Sequence, residues 1–282
     1  TINLNSAGTA TDVQFVGTQA LTGNGQIVMG QNAANRVIVN TNSTVVTQGG
    51  GQTIRGAGQL LANTGGFVNN GAIRQQGGAA LVIDPGTPNV GGGANFVNNN
   101  VLRSEGTGGL TLNAAIYQNN TTIATTGGGD IRLGSTATEI RGGNLTTTGG
   151  GVIRSVANGA LLDGVTITSG SNMVLGNNED IRFRATTANN VNNGTINVNS
   201  LGNLTDVIFD GTQTLEGTGE IVMSQNGNNR VIVNANTNVL TLNANQTIRG
   251  AGQVLANAGG FVNNGTINVN SLGNLTDVIF DG

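Results

Sequence analysis

Cysteine, histidine, tryptophan and lysine are all missing from this chain, and its 282 residues include only two prolines, one tyrosine and seven phenylalanines. The absences remove whole classes of chemistry. Without cysteine there is no disulfide and no thiolate nucleophile, and without histidine as well no zinc site of the usual ligand types. Without lysine there is no Schiff base, and no phosphate loop ending in Gly-Lys-Ser/Thr. The scarcity of aromatic residues, 3 % of the chain, argues against a large aromatic core. All eleven basic residues are arginines, and with fourteen acidic ones they leave a net charge of −3 with no basic block. That balance excludes nucleic acid and anionic membrane as expected partners. No apolar run approaches the length of a transmembrane span, and no cofactor motif is present.

Glycine and asparagine take the place of what is missing, with 48 and 44 residues respectively. Yet hydrophobic residues still make up 37 % of the chain, in short valine, isoleucine and leucine clusters. That is too regular and too apolar for a disordered low-complexity tract. The strongest signal is self-similarity. Residues 1–71 align without gaps to 195–265 with 48 identities, and the stretch 191–211 recurs residue for residue at 262–282. "QTIRGAGQLLANTGGFVNNG" at 52–71 returns as "QTIRGAGQVLANAGGFVNNG" at 246–265.

Within the repeated block the apolar clusters cut the sequence into pieces of 17 to 19 residues. Each contains an alternating strand such as Thr195-Ile-Asn-Val198 or Arg230-Val-Ile-Val233 and closes on Gly, Asn or Ser. The turns are not consistently two-residue hairpin loops, so the strands are not expected to pair as hairpins. The pattern predicts an all-β fold, a right-handed parallel β-helix (β-solenoid) with coils of about 17–19 residues. A single coil cannot bury its inward side chains, so about sixteen coils would stack at roughly 4.8 Å and share one narrow core. The organisation expected is one continuous solenoid over 1–282. It holds a first repeat copy at 1–71, divergent coils at 72–194, a second copy at 195–265 and the start of a third at 266–282. Pro85 and Pro88 mark a loop bulging from the stack. The "FVNN" motifs at 67, 96 and 261 and "NVNN" at 190 suggest side-chain ladders at matching corners, and Phe67, Phe96 and Phe261 suit stacking in the core.

Phrases such as "ALLDGVTITSGSNMVLGN" and "NNGTINVNSLGNLTDV" resemble the β-strand repeats of very large bacterial surface proteins, the autotransporter passengers and filamentous-haemagglutinin-like adhesins. The resemblance implies a secreted, extracellular β-helix serving as stalk, filament or matrix element, with adjacent repeats or further copies as end-to-end partners. It brings no catalytic residue. The alternatives are an adhesive face that binds cell-surface glycans or proteins, and a carbohydrate-binding or carbohydrate-cleaving β-helix.

A cleaving enzyme would need clustered carboxylates. Asp206 and Asp210, four apart in one strand, are the candidate pair, and Glu216 and Glu220 the next. Their counterparts in the first copy are Asp12 and Val16, and Thr22 and Gln26, the exchanges that a solvated face accepts. The expectation is therefore that the chain is not an enzyme and holds no catalytic, metal or cofactor-binding residue. Asp130-Ile-Arg132, Glu139-Ile-Arg141 and Asp180-Ile-Arg182 form a recurrent triplet. Residues two apart on a strand share a face, so each triplet places opposite charges together outside an inward isoleucine. Because neither end carries an atypical polar cap, coils are expected to continue past both termini, covalently or by head-to-tail stacking.

Overall fold

A computed structural model of the chain describes residues 1–156, 158–255, 259–269 and 278–280. Among these every regular element is a β-strand, and the strands pair in parallel from coil to coil, the arrangement of a β-solenoid. The chain divides into two compact units, Thr1–Val152 and Ile153–Gly282.

In the first unit each coil contributes strands to three faces. The first face stacks Ile2–Leu4, the start of Gly25–Val39, the start of Gln52–Leu61, Ala72–Gln75, Val101–Ser104, Thr122–Thr125 and Asn144–Thr147. The second runs from Thr11–Phe15 through the far halves of the two long strands to Leu81–Ile83, Leu110–Leu112 and Ile131–Leu133. The third comprises Gln19–Leu21, Val45–Gln48, Gly66–Asn69, Phe96–Asn98, Ile116–Asn119 and Glu139–Arg141. The second unit repeats the three-faced plan, with Thr195–Val198 paired between Asn172–Leu175 and Glu220–Asn234, and Thr205–Asp210 between Asp180–Arg184 and the same long strand.

Alternation places every second side chain inside, and the register lines these residues up in columns. On the first face Ile27, Ile54, Ile73, Leu102, Ile123 and Leu145 are successive partners. On the second, Val37, Leu60, Ile83, Leu112 and Leu133 do the same. All are buried, and each contributes on the order of 1.5–3 kcal/mol relative to exposure. The third face carries the aromatic column: Phe67 stacks on Phe96 at 5.7 Å between ring centres, and Phe96 meets Tyr117 at 5.6 Å. The Tyr117 hydroxyl donates to the Ile83 carbonyl at 2.7 Å, so its polar tip is satisfied inside the core. Phe261 lies in register with Leu240 of the coil before it, and Phe183 and Phe209 make a second stack at 5.4 Å.

Coil length differs from the 17–19 residues read from the sequence. Ile54 pairs with Ile73, nineteen residues on, but Ile73 pairs with Leu102, twenty-nine on, and Ile2 with Ile27, twenty-five on. The apolar clusters recur once per strand, and a coil holds two or three strands, so the cluster period is shorter than the coil. The coils are correspondingly fewer than sixteen. The longest step carries the expected proline loop: after Pro85 and Pro88 the chain makes a small bridge between Gly91 and Ala94 before rejoining the stack at Phe96. The expected third copy falls partly on 270–277 and 281–282, outside the described residues; its Thr266–Asn268 strand stacks on Thr247–Leu255.

The "RGAGQ" motif sits where these long strands turn from one face to the next. Gly56 and Gly58 have φ of 113° and 139°, and Gly250 and Gly252 have 110° and 155°. A Cβ on Gly56 would lie 1.8 Å from the Met29 carbonyl oxygen, and one on Gly250 would lie 1.9 Å from that of Met223. The coil above carries extra residues at this corner, braced by a buried asparagine. Asn35 accepts from the Ser6 amide and donates to Gly30 and Asn32 carbonyls. Asn229 does the same for Ser200, Ser224 and Asn226 in the second copy.

Asparagine at the remaining corners works mainly through its side chain: among the described non-glycine residues of positive φ only Asn63 and Asn178 are asparagines. The Asn69 amide donates to Asn98 at 2.8 Å and Asn98 to Asn119 at 2.9 Å, all three buried. An exposed ladder, Asn120 to Asn99 to Asn70, runs beside it. At "NVNN", Asn190 donates to Gln213 and Asn192 to Gln246, so the column there mixes asparagine with glutamine. Asn263, in the third "FVNN", is exposed and accepts from the Gly265 amide.

Three substitutions test this reading. Gly56→Ala meets backbone at a positive φ and should cost at least about 1–3 kcal/mol. Gly227→Ala, with open space around it, should change the unfolding free energy from a urea titration by less than about 0.5 kcal/mol. Asn98→Ala strands one N–H of the Asn69 amide, which keeps its bond to the Val101 carbonyl, and the Asn119 oxygen in the interior, and should cost about 1–3 kcal/mol for each stranded group in the same titration.

Candidate functional site

The first candidate pair, Asp206 and Asp210, lies on the strand Thr205–Asp210 of the second unit. The strands Ala160–Asp163, Asp180–Arg184, Thr205–Asp210 and the far half of Glu220–Asn234 lie side by side there. Register sets two charged columns. One runs Asp163, Arg184, Asp210, Asn234, and the other Asp180, Asp206, Arg230.

Asp206 and Asp210 do share a face, as their spacing requires, but each is held by its own arginine. Arg230 clamps Asp206 through both forks, with Nε at 2.7 Å. Arg182, from the preceding coil, clamps Asp210 at 2.7 and 2.6 Å. Asn234 adds a 2.7 Å hydrogen bond to Asp210. Two carboxylates each bound in a bidentate guanidinium fork are occupied, a poor arrangement for a proton donor facing a proton acceptor. Glu220 is likewise gripped by Arg249 at 2.7 and 3.0 Å, and that hydrogen bond holds its carboxyl below the usual range. Glu216 accepts from Asn189 on another face.

Electrostatics across the ladder are uneven. Burial, reinforced by the neighbouring Asp206 charge, pushes the Asp180 carboxyl above its ordinary range. Burial pushes Asp163 the same way, but hydrogen bonds from Thr186 and Arg184 outweigh it and leave that carboxyl low. The hydrogen bonds with Asp206 and Asp210 raise Arg230 and Arg182. Among the described residues no group of three or more His, Cys, Asp or Glu is placed to hold a metal ion.

The acidic-Ile-Arg triplets divide. Arg141 does reach Glu139 within its own strand, and Arg132 approaches Asp130 at 3.8 Å. Arg182 instead turns to Asp210, twenty-eight residues on. Cross-coil pairing of this kind was not legible, because it depends on coil lengths that the sequence pattern misjudged. One signal was available: Asp12 and Arg36 are matched by Asp206 and Arg230 in the second copy, and both pairs form in the structure. What the arrangement does chemically is neutralise charge along the stack.

Sign and pH follow from these shifts. Asp163 and Glu220, with lowered values, stabilise the fold above the ordinary carboxylate range, and that stability is lost as pH falls through their folded values. Asp180 is raised, so its ionisation opposes folding at neutral pH. Asp163→Asn should therefore lower the melting temperature at pH 7, and Asp180→Asn should leave it unchanged or raise it. The difference between the two variants should shrink toward pH 3.

No protein-family model, no curated protein and no solved structure matches this chain, so its likeness to bacterial surface repeats rests on the quoted residues alone.

Proposed function

We propose that this chain is a structural segment of an extracellular β-solenoid, a stalk, filament or matrix fibre of a bacterial surface protein, without enzymatic activity or cofactor. The observation that carries the reading is that repeat copies reproduce one another's contacts coil for coil. Ile2–Leu4 lies on Gly25–Val39 in the register that Thr195–Val198 uses on Glu220–Asn234, and the long strands of both copies bear the same glycine corner and the same asparagine brace. A unit whose stability comes from its neighbours on either side gains length by repetition without redesign.

Coil types are also interchangeable at their edges. The strand sequence Thr-Ile-Asn receives Asn172–Leu175 at Thr195 and Thr247–Leu255 at Thr266. Ion pairs distributed along the outer faces keep such a surface hydrated and oppose sideways association.

Electron microscopy of the purified full-length protein, with its intact mass, tests this. The expected result is uniform unbranched particles far longer than wide, whose length scales with the number of coils in the chain or grows by end-to-end association. Compact particles that turn over a polysaccharide would overturn it.

A further inference from the structure

We propose that the first unit carries a binding strip for acidic glycans, centred on Arg55, Arg74 and Arg103. This does not depend on the structural role above. The three arginines are direct register partners on three successive coils of the first face. Their guanidinium groups therefore follow one another at roughly the inter-strand spacing of 4.8 Å, and all three side chains are only half-buried.

Seven other arginines each pair with a carboxylate of their own, whereas the three in this row share a single acid. Glu105 is the one acid on the strip, and it serves both Arg74 and Arg103. Arg55 is held by two neutral amides, Gln26 at 2.9 Å and Gln76 at 3.1 Å. The second copy shows what the same position looks like when neutralised: there Arg249 takes the place of Arg55, Glu220 the place of Gln26, and the pair forms a bidentate bridge. Next in that column comes Asn268 rather than a second arginine. Compared with the second copy, this row has an amide, Gln26, in place of the carboxylate Glu220 and a guanidinium, Arg74, in place of Asn268, within a chain of net charge −3.

The donors left over point to the ligand. Each guanidinium keeps N–H groups beyond those engaged, in a planar fork suited to carboxylate or sulfate. Beyond Arg103 the row opens into a shallow cavity of about 270 Å³ lined by Asn100, Val101, Thr121, Thr122 and Ala124. Amide and hydroxyl groups beside an apolar floor suit sugar hydroxyls and ring carbons. A linear polymer that alternates hydroxyls with regularly spaced negative charges fits both parts. Nucleic acid fits less well, since the strip offers no aromatic ring on which a base could stack.

The test measures binding of the full chain to polygalacturonate, dextran sulfate, neutral dextran and duplex DNA at low salt. Binding to one or both acidic glycans is expected, weakened by added salt, with neutral dextran at least tenfold weaker. Gln26→Glu copies the neutral arrangement of the second repeat, so it should fold normally and still weaken glycan binding severalfold. A triple Arg55→Gln, Arg74→Gln, Arg103→Gln variant should weaken it at least tenfold. Arg36→Gln, which removes the same charge from another face, should change it less than twofold. Preference for carboxylate or for sulfate identifies the glycan. Equal binding of neutral dextran, stronger binding of DNA, or unaltered affinity in the Gln26→Glu variant would overturn the assignment.

Discussion

Parallel backbone pairing in fixed register is the constraint from which everything else in this molecule follows. Once Ile54 is opposite Ile73 and Ile73 opposite Leu102, the side chains of each coil have no choice of neighbours, because a slip of one residue would send every inward residue out. Columns of like residues are the consequence. Aliphatic columns fill two faces, an aromatic column and a buried asparagine ladder fill the third, and charges line up outside. The narrow interior explains the composition: aliphatic side chains and a single file of rings fit where a broad aromatic core would not.

The same constraint assigns the polar residues their work. A buried amide is costly without partners, yet Asn98 both accepts from Asn69 and donates to Asn119. Such a ladder closes only if the residue one coil on is also an amide at the same corner. The ion pairs obey this logic on the wet side. Asp206 and Arg230, or Asp12 and Arg36, are partners because they are opposite one another, at distances in sequence of 24 residues. Pairs as exposed as Asp12–Arg36 contribute little each, so their larger effect is to prevent unbalanced charge from accumulating along the stack. Against that background the row Arg55, Arg74, Arg103 stands apart.

Much of the fold was legible in the sequence. Strand alternation, Gly-rich corners and the repeat of 1–71 at 195–265 led directly to a parallel solenoid, and "FVNN" at 67 and 96 led to stacked phenylalanines and an asparagine ladder. Coil length was not legible, because one coil contains several apolar clusters and nothing local marks which cluster lies above which. The error carried into the charges: Asp180 and Arg182 read as partners from their spacing, whereas Arg182 is bound by Asp210. Asp206 and Asp210 read as charges of a solvated face, and the arginines that occupy them come from other coils. The long corner at Gly30–Asn35 also escaped notice, although Asn35 and Asn229 recur at equivalent positions to brace it.

The register itself can be measured. Val28, Arg55, Arg74, Arg103, Ala124 and Thr146 are successive partners on the outer side of one face. Spin labels at Val28 and Thr146, in a chain that has no native cysteine to interfere, lie five strand spacings apart, about 24 Å along the stack. A narrow distance distribution centred there, allowing for the label arms, is the result this account predicts. A distribution centred near 30 Å or beyond, as coils of 17–19 residues would give at the same spacing, or one too broad to have a centre, would contradict it.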